Sequence, residues 1–133
     1  MPDLRIVVIV AAAVGLGALL LVATNSGYDS RRFVGEAITE AEPLKARILE
    51  HHQRTKALPQ GAEAKALRLD GPALKRARSV EWDATRGMLV VTMEGQPYPG
   101  KRFGWIAEAR EGHLEWTCRP IDMEPKHLPA ACR

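Results

Sequence analysis

The sequence lacks the marks of a catalyst. It has no GxxxxGK[ST] phosphate loop, no GxSxG nucleophile elbow and no Rossmann glycine pattern. P-loop, serine-hydrolase and dinucleotide chemistry therefore have no footing, and no cofactor is called for. The carboxylates are scattered and mostly interleaved with Lys or Arg, so no pair is set apart for acid–base work. Cysteine is scarce: Cys118 and Cys132 are the only two. There is no CxxC or HxxxH pair, and a zinc site on the two cysteines and His127 has only His113 to offer beyond them, which is not a convincing fourth ligand. Glu50-His51-His52 invites a metal reading, but neighbours on a helix point about 100° apart. A solvated helix end explains that stretch better. No internal repeat or low-complexity segment is visible, and 133 residues leave room for one domain and at most an appendage.

What is missing from Ile6 to Ala23 is polarity. "IVVIVAAAVGLGALLLVA" is 18 residues without a charged side chain. As a helix it spans roughly 27 Å, close to the hydrocarbon thickness of a bilayer. A cleaved signal peptide has a shorter apolar region of about 7–15 residues ending in small residues, which Leu21-Val22-Ala23 fits poorly. An uncleaved anchor is the preferred reading. Residues 1–27 are thus an N-terminal anchor and residues 28–133 a head domain. Arg5 on one side and Arg31 and Arg32 on the other give the positive-inside rule no clear direction. The formal charge of +3 belongs to the head, because Asp3 and Arg5 cancel. If the head is exported, the two cysteines imply one disulfide. Its loop of about 15 residues would be worth roughly 3 kcal/mol on chain-entropy grounds.

Beyond the polar stretch Thr24 to Ser30 the pattern becomes helical. Val34, Ala37, Ile38, Ala41, Leu44, Ile48 and His52 recur at helical spacing on one face of Arg31 to Lys56. Pro43 lacks an N–H for the Thr39 carbonyl and predicts a kink. Leu58-Pro59-Gln60-Gly61 is a turn signal. Ala62 to Arg78 reads as loop with one helical turn. From Ser79 the period changes to two. "SVEWD" and "GMLVVTM" form a hairpin across "ATRG", and "RFGWIAEA" and "HLEWTCR" form a second across Arg110-Glu111-Gly112. The sum is an α+β fold, a long helix on a four-stranded antiparallel meander.

One cluster has functional potential by composition alone. Lys75, Arg76 and Arg78, joined by Arg86, Lys101 and Arg102, could make a basic patch beside Trp82 and Trp105. Phosphate contacts and base stacking would then bind DNA. The preferred reading keeps the tryptophans in the core and the charges on a solvated face.

These parts, in this order, resemble the type IV pilins, subunits of bacterial surface filaments. The specific matches are C-terminal: "WTC", Trp116 to Cys118, and "HLPAACR", His127 to Arg133. "SVEWD", "GMLVVTM", "YPGKRF" and "EAITEAEPLKARILEHHQRTKALPQG" look like the family's earlier strands, turn and helix. The resemblance covers most of residues 34–133. It implies a C-terminal loop pinned by Cys118 and Cys132 to the last strand, carrying contacts between subunits or with target surfaces. It also implies a structural and adhesive role rather than an enzymatic one. The partners would be the inner membrane, other pilin subunits and the pilus assembly machinery, with no small-molecule substrate. The head would be periplasmic, or on the cell surface in a pilus.

The N-terminus departs from the family pattern. It shows no basic leader and no Gly-Phe cleavage site, and Pro2 and Arg5 are atypical. Asp3 stands where the family's acidic residue would be. The anchor and assembly candidates are Asp3, Ile6, Val10, Val14, Leu19 and Val22. Three readings are open: an anchored protein that never polymerises, an unprocessed filament subunit, or a start that lies upstream. The alternative function is a non-polymerising, membrane-tethered periplasmic binding module that holds DNA during uptake. A membrane-bound enzyme would need a site that the sequence does not offer.

Overall fold

A computed structural model of the protein describes residues 31–133. The first helix, α1, covers residues 31–55. Val34, Ala37, Ala41, Leu44 and Ile48 are wholly buried along it, at the three- and four-residue spacing that makes one stripe. His52 extends the stripe and is also buried, while Ile38 packs against its margin. The helix runs as one element through Pro43. Proline removes one backbone bond at about 3 kcal/mol, and the burial of Ala41 and Leu44 on either side offsets it.

Helix α1 stops at a left-handed residue. Lys56 has φ 61° and its amide donates to the His52 carbonyl at 2.7 Å. A side chain there is strained, where glycine would not be. Lys56→Gly is expected to raise the thermal midpoint, by a stabilisation of about 0.5–1 kcal/mol. A thermal melt checks it.

A short helix α2, Gly61–Ala66, follows, and then five strands: β1 Arg68–Asp70, β2 Ala77–Asp83, β3 Met88–Met93, β4 Arg102–Arg110 and β5 His113–Pro120. Each pairs antiparallel with its sequence neighbour, in spatial order β1-β2-β3-β4-β5. The expected α+β meander is present, but with five strands rather than four. The additional strand, β1, is three residues long, too short to show a period. Its register, Leu69 opposite Val80, is set by the free edge of β2. Arg68 secures it by ion pairs to Asp70 and Glu81. Strand β2 also begins two residues before Ser79, at a bulge between Ala77 and Ser79.

Alternation sorts the sheet. Val80, Trp82, Leu89, Val91, Phe103, Trp105 and Ala107 face α1 and form one core with its stripe. Trp105 lies opposite Cys118 and Ala107 opposite Trp116, which puts both tryptophans on the helix side. Lys45 of α1 lies between them, its Nζ 5.0 Å from one ring centre and 5.3 Å from the other.

The link from β1 to β2 is held from the helix. The Glu40 carboxylate accepts backbone N–H groups from Lys75 at 2.6 Å, Arg76 at 2.9 Å and Ala77 at 2.9 Å. Three successive donors, two from the link and one from the first residue of β2, are thereby satisfied by one side chain.

Candidate functional site: the C-terminal loop

After β5 the chain doubles back in two single 3-10 turns, Pro125–His127 and Ala130–Cys132. Three features hold this loop. The Cys118–Cys132 disulfide closes it across a sequence separation of 14, with Cα atoms 4.4 Å apart. Leu128 is wholly buried and Met123 nearly so, both in the main core. The third is a reciprocal clasp between Arg102, at the start of β4, and the loop. Asp122 accepts the Arg102 amide at 2.5 Å and its Nε at 2.9 Å. In return the Arg102 carbonyl takes the amides of Ile121, Asp122 and Met123 at 3.1, 3.2 and 3.3 Å.

Burial pushes the Asp122 carboxyl up, but the bonds and charge of Arg102 together outweigh it and hold it below the usual aspartate range. A depressed carboxyl stabilises the fold fully above its ordinary value, about 3.9, and the contribution is lost as pH falls through the lower folded value. The expected observation is an Arg102 amide proton resonance that titrates with a midpoint below 3.9. An NMR acid titration reads it directly.

Between this loop and the β3–β4 connection lies a pocket of about 310 Å3. Pro97, Tyr98 and Lys101 form one wall, and Asp122, Met123, Glu124 and His127 the other. The Tyr98 and His127 rings meet with centres 4.9 Å apart. Tyr98 is buried, and its hydroxyl has no hydrogen-bond partner among the described residues. The Lys126 ammonium, 3.1 Å away, holds the Glu124 carboxyl below its usual range.

The basic cluster is dispersed into ion pairs. Arg76 Nε meets Glu36 at 2.5 Å, and its guanidinium lies 3.9 Å from the Phe33 ring centre. Hydrogen bonding to Arg76 in turn lowers the Glu36 carboxyl. Arg78 pairs with Glu94, Arg86 with Asp83 and Arg102 with Asp122. The side chains of Lys75 and Lys101 make no ion pair among the described residues. Trp82 is buried and donates Nε1–H to the Pro59 carbonyl at 3.0 Å, and Trp105 is buried edge-on to Phe103. Both rings lie in the core rather than on a charged face.

The histidines separate as their helical spacing requires. His51 reaches Glu63 of α2 at 3.1 Å, whereas His52 turns into the core. Among the described residues no group of three His, Cys, Asp or Glu is placed to hold a metal ion. None of their helices is long and apolar enough to cross a membrane. The apolar run Ile6 to Ala23, with Asp3, Val10, Val14, Leu19 and Val22, lies outside the described residues.

Sequence reasoning missed Glu40 and the Arg102–Asp122 clasp. In each, a carboxylate reaches backbone N–H groups far away in sequence, which leaves no local pattern. The family model for Pilin (bacterial filament) matches residues 31–133, the whole described part of the chain. No curated protein matches it.

Proposed function

The chain belongs to the pilins, the subunits of bacterial filaments, and from that membership we propose that it is a structural or accessory subunit of a type IV pilus, acting in filament assembly and cell adhesion. The observation that carries this reading is the match over residues 31–133, which takes in the helix stripe, the meander and the disulfide-closed loop together.

The apolar run Ile6 to Ala23 holds the subunit in the inner membrane until assembly, then packs against the same segment of other copies. Burial of that surface drives association once lipid is left behind. Asp3 pairs with the amino terminus of a neighbour, because a carboxylate in an apolar surround is costly alone. The head is periplasmic before assembly and on the cell surface after it.

Intact mass spectrometry tests the proposal in the native host, comparing the inner membrane with filaments sheared from the cell surface. The chain is expected in both fractions, and a shortened, methylated form in the filaments marks processing. Confinement to the membrane fraction would overturn the filament role.

A further inference from the structure

Where the first turns of α1 meet the β1–β2 link, cations outnumber carboxylates. Arg31, Arg32, Lys75 and Arg76 stand there with only Glu36 and Glu40. The Glu40 oxygens are taken by backbone N–H groups of the link. Glu36 meets Arg76 Nε at 2.5 Å and Arg32 Nε at 3.7 Å. Both guanidiniums also lie over the Phe33 ring, at 3.9 and 5.6 Å from its centre, which fixes where they stand. Among the described residues the Arg31 guanidinium, the Lys75 ammonium and the Nη groups of Arg76 make no hydrogen bond or ion pair. Arg31, Arg32 and Lys75 are exposed. Free, charged donors on a platform held in place suit phosphate oxygens.

Lipid headgroups and nucleic acid both carry such oxygens, and the connectivity of the chain chooses between them. Only Thr24 to Ser30 separate the apolar run from Arg31. Fully extended, that stretch reaches about 25 Å. With Ile6 to Ala23 in a bilayer, Arg31 is therefore kept beside the headgroup layer, about 5–8 Å deep. Lipid phosphate is then present at high effective concentration, whereas nucleic acid must be captured from solution. The other end of α1 has no such neighbour. Arg54 stands about 35 Å from Arg31 along the axis, several screening lengths away.

We propose that this end of the head docks on anionic phospholipid of the inner membrane, with Arg31, Lys75 and Arg76 donating to headgroup phosphates and Arg32 adding charge. This rests on the reading of Ile6 to Ala23 as the membrane anchor, and it gives the head a fixed seat before assembly. Extraction into a filament then has to break these contacts as well as withdraw the apolar run.

The full chain in bilayer nanodiscs, with a trace of lipid carrying gadolinium on its headgroup, tests the docking. The readout is paramagnetic relaxation of the Lys75 amide proton, whose position Glu40 fixes. Relaxation should be faster in phosphatidylcholine mixed with phosphatidylglycerol than in phosphatidylcholine alone. The difference should vanish in 1 M salt, where the screening length is about 3 Å. Each cation near an anionic surface favours the docked state about fivefold, so Arg31→Gln with Lys75→Gln should lower the docked-to-free ratio about 25-fold at an unchanged thermal midpoint. Arg54→Gln with Lys65→Gln removes the same charge at the far end and should change nothing. Equal relaxation in the two bilayers, or equal losses from the two double variants, would overturn the docking and leave the pilus reading standing. Release by duplex DNA at matched phosphate concentration would assign the patch to nucleic acid and overturn the docking as well. A chain that enters neither nanodisc would overturn the anchor reading, and the docking with it.

Discussion

Replacing Cys118 and Cys132 together by alanine is expected to lower the stability of the head by about 3 kcal/mol, the loop-closure value for this separation. Urea denaturation at matched protein concentration measures it as a fall in midpoint. The loss should be uneven along the loop. The amides of Ile121, Asp122 and Met123 remain on the Arg102 carbonyl and keep their protection from hydrogen exchange. Leu128, whose hydrogen bonds run only to Pro125 and Arg133 within the loop itself and which is otherwise held by packing and the bridge, should open first. A loss below about 1 kcal/mol would mean that the clasp and Leu128 hold the loop without the bridge.

Glu40→Ala carries the second large effect, a loss of about 3 kcal/mol. It strands three backbone donors at once, and each unsatisfied N–H costs on the order of 1–3 kcal/mol less whatever water restores. Glu40→Gln separates charge from geometry. It keeps one acceptor oxygen and should recover about half the loss, since bonds to a charged acceptor are roughly twice as strong as neutral ones. Chemical denaturation of the two variants side by side gives the comparison. Equal losses would show that the amide cannot hold the Lys75–Ala77 segment.

Helix α1 was legible because its signal is repeated: six positions of one stripe, Val34 to His52, each support the same period. The four longer strands were legible for the same reason, and their hairpin turns fell where glycine and charged residues cluster. Strand β1 was not, because Arg68-Leu69-Asp70 has one inward residue and no repeat. The basic cluster illustrates a different limit. Arg76 looks free until Glu36, 40 residues earlier, is brought against it. The side of the sheet occupied by Trp105 and Trp116 also could not be read locally. It follows from Lys45 and the α1 stripe facing β4 and β5.

The strand order has a kinetic corollary. In a strict meander each strand's partner is the segment just before it, so every pairing closes a short loop and contact order stays low. Longer closures are needed for the docking of α1, with its reach from Glu40 to Ala77, and for the seating of the C-terminal loop, where His127 meets Tyr98. Cys118 sits on β5 and Cys132 follows it at a sequence separation of 14. When the chain emerges amino terminus first, the sheet can be complete before the thiols meet, and oxidation then acts as a late latch rather than a guide.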